Sequence, residues 1–187
     1  MLGWNAVEDI DISKLNKVLI NKLGNISGLV ETIDNWVLTP DKKLLPTLLN
    51  YAKLLKSFND LPEGTRLFRG FDPKSNYQDT LGLTYKGFFV NKVHNYSVGH
   101  EFNYIIENPI SFTTSERIAG EFGSTIVELK ELPNDYIWLS DELAYLISKR
   151  RNIKPETQKE LIILPPADLK LKVIKKLTTI LNFLQFP

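Results

Sequence analysis

The sequence predicts an α+β fold, a helical lobe followed by a strand-rich one, and three observations carry that prediction. Up to residue 64 the apolar side chains recur at helical steps of three and four. From Thr65 onward they gather in short clusters of strand length, cut by turn residues. No internal repeat or low-complexity linker separates the two regions. Residues 1–187 are therefore expected to form a single domain in which lobes 1–64 and 65–187 share one core.

Each element follows in order. In "DISKLNKVLINKLGNISGLVETIDNWV", Leu15, Val18, Leu19 and Leu23 are spaced for one helical face behind a cap at Asp11 or Ser13. Gly24 or Gly28 is expected to break the stretch into two helices. After Pro40 the pattern returns with Leu45, Leu48, Leu49, Ala52 and Leu55, and "LPEG" stops it. The strand candidates are "RLFRGF", "GFFV", "NPISFTTS", "STIVELK", "DYIWLS", "ELIILPP" and "LKLKVIKKL".

Bulk properties narrow the partners. Lys and Arg total 23 against 22 for Asp and Glu, so the net charge of +1 supplies no global field for nucleic acid or an anionic membrane. The absence of cysteine removes disulfides, thiolate nucleophiles and thiolate metal sites together, and fits a reducing compartment. The acidic start "MLGWNAVEDIDISK" does not read as a secretory signal, and no stretch approaches the roughly 20 apolar residues of a membrane span. A soluble, cytoplasmic protein without a membrane partner is expected.

Three polar features stand on three strand candidates. Arg69 ends an apolar run in "LFRG", where Gly70 permits close approach to the backbone. "NPISFTTSE" carries hydroxyls at Thr113, Thr114 and Ser115 before Glu116, which also reads as an ordinary helix cap. "QKE" puts Gln158 and Glu160 two apart, so in a strand both share one face and Lys159 points to the other. Taken singly, each has an unremarkable reading: a surface arginine, a cap, a strand entering the sheet from water.

Their order is more specific than any one of them. An aromatic-Arg strand, a hydroxyl triplet about 45 residues on and a Gln-x-Glu pair about 45 after that resemble the arginine, serine and glutamate class of mono-ADP-ribosyltransferases, which includes clostridial exoenzymes and phage enzymes. The flanks "ERIAGEFGSTIVELKELP" and "KELIILPPADLKLKVI" are similar as well, so the resemblance spans about Thr65 to Ile174. It implies a helical lobe packed on two small, mainly antiparallel sheets with an NAD cleft between them, and NAD as substrate.

The resemblance also implies roles. Glu160 would stabilise the oxocarbenium character that develops when nicotinamide leaves ribose, as a carboxylate does in glycoside cleavage. Gln158 would orient the acceptor; in this class Gln at that position goes with acceptors other than arginine, namely Asn, Gln or Thr side chains and in some members a nucleobase. Arg69 would clamp phosphate or ribose through its planar fork, and Gly70 would offer its backbone to the nicotinamide amide. Thr113 would hold the catalytic carboxylate, Thr114 and Ser115 would brace the strands and cap behind it, and Phe122 would cover the nicotinamide ring.

Two positions depart from the pattern of the protein-modifying members. Pro155 stands where an aromatic precedes the Gln, and Ser124 and Thr125 stand where an arginine follows the nicotinamide-loop aromatic. In "SKRRNIKPETQKE" the cations Lys149, Arg150, Arg151, Lys154 and Lys159 form either a solvated charge run or a contact for acceptor phosphates. His94 and His100 are six apart without helical zinc spacing, so no metal is expected. Trp4, Trp36 and Trp138 read as core or lobe-interface residues.

The function expected is an intracellular, toxin-like or phage-encoded transfer of ADP-ribose from NAD to a host protein or a nucleic acid. A monomer is expected, with an antitoxin partner left open. A plain NAD glycohydrolase and a non-catalytic binding module of the same fold are the alternatives.

Overall fold

The structure, a computed structural model, describes residues 6–71, 93 and 95–177. It is α+β, with helices and two antiparallel sheets that stay open rather than closing into a barrel. Strand β1 (Glu8–Asp9) leads through a 3-10 turn at Ile12–Lys14 into three helices: α1 (Lys17–Gly24), α2 (Leu29–Leu38) and α3 (Leu45–Leu55). The expected break falls between Gly24 and Gly28, and Gly28 holds the left-handed conformation at φ 74° that opens α2.

The start of α1 differs from expectation. Asp11 caps the 3-10 turn, accepting from Ser13 N, while α1 begins at Asn16, whose side chain accepts from Leu19 N. The helix is therefore phased one turn later. Leu23 is its single buried residue and Val18 is 76 % exposed.

Helices α2 and α3 bury Leu29, Ile33, Trp36, Leu48 and Leu55. Each fully buried leucine or isoleucine of this set contributes about 1.5–3 kcal/mol. They pack with α5 (Asp141–Arg151) against Ile137 and Ile162, on one face of β6 (Tyr136–Trp138) and β8 (Glu160–Ile163). Helix α5 carries the first three cations of the basic run, Lys149, Arg150 and Arg151. Ser140 caps it, Asp141 and Glu142 occupy its first turn and Lys149, Arg150 and Arg151 its last, all favourable to the helix dipole.

The larger sheet has seven strands in the order β3-β9-β5-β2-β4-β8-β6, and every neighbouring pair is antiparallel. Its remaining members are β2 (Leu67–Phe71), β3 (Glu101–Ile106), β4 (Ile110–Thr113), β5 (Thr125–Leu129) and β9 (Ala167–Lys176). Six of the seven strand candidates become strands, β3 is an addition, and "GFFV" lies outside the described residues, as do Trp4 and His94. The small sheet pairs β1 with β7 (Glu156–Thr157).

A single registered pair, Phe68 with Thr113, joins β2 to β4. The seven strands thus form two halves meeting at one point, β3-β9-β5-β2 and β4-β8-β6. One core cluster draws on both, with Leu67, Val127 and Leu171 from the first half and Phe112, Leu161 and Ile163 from the second. The halves are therefore folded onto each other around that core. Helix α4 (Glu116–Phe122) covers the other face of β2 and β5, where Phe68, Ala119 and Ile126 meet. Among the described residues no helix is long and apolar enough to cross a membrane.

Candidate active site

The point where the two half-sheets join is also where the three polar features meet. Arg69 lies in the middle of β2, on the same face as the core residues Leu67 and Phe71. Its Nη1 donates to the Ser111 carbonyl at 2.6 Å, and its guanidinium stands 5.6 Å from the centre of the Phe71 ring. Gly70 faces the other way. A Cβ there would lie 2.0 Å from the Ala119 carbonyl oxygen of α4, so the position has no room for a side chain.

Strands β4 and β8 pair Thr113 with Glu160 and Ser111 with Ile162. Glu160 opens β8 at 9 % exposure, and the hydroxyl of Ser111 donates to its Oε1. A hydroxyl bonded to a carboxylate is a charge-assisted contact that orients the acid. This is the service that the resemblance assigned to Thr113. Thr113 instead donates from Oγ1 to the Gln158 carbonyl at 2.7 Å and accepts from Ser115 N at 3.1 Å. Ser111 is a site residue that sequence reasoning missed; its signal was strand alternation, which places it on the face of Thr113.

The other hydroxyls brace the turn. The Thr114 amide donates to the Lys159 carbonyl at 2.9 Å. Ser115 caps α4, its Oγ accepting from Ile118 N and donating to Glu8 of β1. The cap is real, and the same residues tie β4 to the Gln-Lys-Glu segment. Phe122 ends α4 half-buried, outside the three core clusters.

The Gln-Lys-Glu segment is not one strand. β7 ends at Thr157 and β8 starts at Glu160, with Lys159 between them at φ 52°. The expected alternation of Gln158 and Glu160 about Lys159 is therefore broken by a left-handed residue. Such a conformation costs a non-glycine residue about 1–3 kcal/mol and persists only where surrounding contacts fix it. Three do so here. Lys159 N donates to Thr157 Oγ1 at 2.9 Å, its carbonyl accepts from Thr114, and its Nζ donates to both oxygens of Asp141 at 3.1 and 3.2 Å.

The neighbouring cations have carboxylate partners within the chain. Arg150 and Arg151, on the last turn of α5, both reach the buried Asp34 of α2, with Nε to oxygen distances of 3.2 and 2.6 Å. Lys154 pairs with Asp9 of β1 at 2.6 Å. This run therefore fastens the helical lobe and β1 to the rest of the fold, a structural use that the sequence pattern does not distinguish from a phosphate-binding one.

Thr114 and Lys159 also line a cleft of about 390 Å³ between the N-terminal 3-10 turn, the start of α5 and the 62–65 turn. Among the described residues no group of three or more His, Cys, Asp or Glu is placed to hold a metal ion.

Comparison of the chain with protein-family models, with curated proteins and with solved structures found no match.

Proposed function

We propose that this protein is an NAD-dependent mono-ADP-ribosyltransferase acting on a macromolecular acceptor other than arginine, with an Asn, Gln or Thr side chain as the leading class. One observation carries the reading. Arg69, Ser111 and Glu160, from three strands far apart in sequence, converge where the two half-sheets join. A carboxylate held by a hydroxyl, with a guanidinium bonded to the backbone of the residue that carries that hydroxyl, is equipment that glycosidic cleavage of a dinucleotide can use.

In this mechanism the bond between the nicotinamide nitrogen and ribose C1′ breaks and its electron pair leaves with neutral nicotinamide. Positive charge develops at C1′, where Glu160 stabilises it. The acceptor then forms a bond to C1′ and gives up its proton to solvent. Arg69 binds a phosphate or ribose oxygen, and Gln158 orients the acceptor through an amide that both donates and accepts.

The test is incubation with labelled NAD and cell lysate, followed by separate nuclease and protease treatment. Label lost to protease supports a protein acceptor, and label lost to nuclease a nucleic-acid one. Release of nicotinamide without a labelled macromolecule replaces the reading with an NAD glycohydrolase. No release at all replaces it with a non-catalytic module. Glu160→Gln is expected to lower nicotinamide release by about 10²–10³-fold with the fold retained; wild-type release by that variant sinks the assignment.

A further inference from the structure

The cleft beside Lys159 is not accounted for by NAD cleavage. At about 390 Å³ it falls in the range of small-molecule sites, about 300–1,000 Å³. Its charges select against an anion. Lys14 is paired with Asp11 at 3.5 Å and Lys159 with Asp141, so no lysine in the lining is left over for a phosphate. With each lysine balanced by a carboxylate, the one uncompensated charge in the lining is that of Glu142.

What remains in the lining suits a neutral, planar ligand with polar edges. Glu142 is the one lining carboxylate without a lysine; the Asn16 amide donates to its Oε1 at 3.0 Å, and a carboxylate accepts through both oxygens. Thr65, Thr114 and Ser140 add hydroxyl oxygens; that of Thr65 donates to the Pro62 carbonyl and keeps its lone pairs, and that of Ser140 accepts from Leu143 N and keeps its proton. Trp138, half-buried and packed in part on the main core cluster, is the lining aromatic, and the part of an indole that faces a cleft offers a stacking surface to a base.

We propose that this cleft binds a nucleoside, stacked on Trp138, with an exocyclic amino group donating to Glu142. The base comes either from a free nucleoside or from a single-stranded nucleic acid, and the binding does not require turnover of NAD.

Calorimetric titration of the full chain with adenosine, cytidine and uridine tests it. Adenosine and cytidine are expected to bind one to one. Uridine, which carries a carbonyl where cytidine carries the amino group, is expected to bind at least about fivefold more weakly. Trp138→Leu is expected to weaken all three by about five- to a hundredfold, with Trp138→Phe recovering most of the loss. Glu142→Gln, at a position half-exposed on α5, is expected to narrow the gap between cytidine and uridine with the unfolding midpoint unchanged.

A hexamer of adenylate binding more tightly than adenosine identifies a strand as the source, and weaker binding identifies the free nucleoside. The proposal is overturned if no nucleoside binds saturably. It is equally overturned if binding is indifferent to both the Trp138 and the Glu142 variants, or if N-acetylarginine amide binds in preference to every nucleoside.

Discussion

Replacing Gly70 by alanine puts the joint of the sheet to a direct test. Gly70 is not among the glycines with positive φ, so its backbone accepts alanine. On that ground alone the change would stabilise the chain by about 0.4–1 kcal/mol through the unfolded state. The space decides otherwise. The new Cβ would stand 2.0 Å from the Ala119 oxygen and 2.8 Å from the Gly123 nitrogen, both backbone atoms. Restoring even a tight 3.0 Å contact needs α4 to move by 1.0 Å, the difference between that limit and the 2.0 Å found.

Ile118 and Ala119 are fully buried and Ser115 caps the helix, so α4 has little freedom to retreat. Overpacking against side chains costs about 1–3 kcal/mol, and a backbone obstacle places this case at the upper end, about 3 kcal/mol. In urea, with a slope of about 1–3 kcal/mol/M, the midpoint of Gly70→Ala falls by about 1 M or more. A midpoint within about 0.3 M of wild type refutes the packing argument.

Other expectations follow from the same geometry. If Ser111 orients Glu160, Ser111→Ala lowers kcat/KM for nicotinamide release about ten- to a hundredfold through the lost charge-assisted bond. Ser111→Thr, which keeps the hydroxyl, recovers most of it; equal loss in both variants shows a packing defect instead. Asp34→Ala leaves Arg150 and Arg151 without their buried carboxylate. Because both arginines are partly exposed, the cost is about 2 kcal/mol in urea unfolding rather than the full value of a buried pair, and an unchanged midpoint removes the clasp from the account.

The Arg66 hydrogen bond holds the Glu128 carboxyl below its ordinary value of 4.5, against the opposing effect of burial and with help from the charges of Arg66 and Lys130. A depressed carboxyl contributes stability above its unfolded-state pKa and loses it as pH falls through the folded-state one. Arg66→Met is therefore expected to unfold more easily than wild type at neutral pH. The difference should close on acidification below 4.5, and a difference independent of pH contradicts the assignment.

The helices α2 and α3 were legible because their apolar residues keep the helical period, and six strands because their apolar residues form short clusters bounded by turn residues. Strand β3 was not, since its outward side carries Ile105, 69 % exposed, alongside Glu101 and Asn103, which blurs the alternation. Helix α5 carried readable start and stop signals in Ser140, Asp141, Glu142 and the terminal cations. They were obscured because the same cations also fit a binding loop, and only Asp34, 117 residues from Arg151, says what they hold.

The candidate site divides in the same manner. The residue types at Arg69 and Glu160 and the hydroxyls between them could be read in order. Which hydroxyl meets Glu160 depends on the register of β4 against β8, and the kink at Lys159 depends on contacts from Thr114 and Asp141, distant in sequence. Neither is encoded locally.

The pairing of β1 with β7 has a consequence for biosynthesis. Glu8 meets Thr157 and Asp9 meets Glu156, while Ser115 reaches back to Glu8. A nascent chain therefore carries β1 unpaired while the roughly 145 residues between Asp9 and Glu156 are made. It can close that strand, and the turn that steadies Glu160, only after residue 157 has left the ribosome. A ribosome-bound chain halted before that residue holds the helical segments of the first lobe and both strands of the joint, but not the pair that fastens β1 to them.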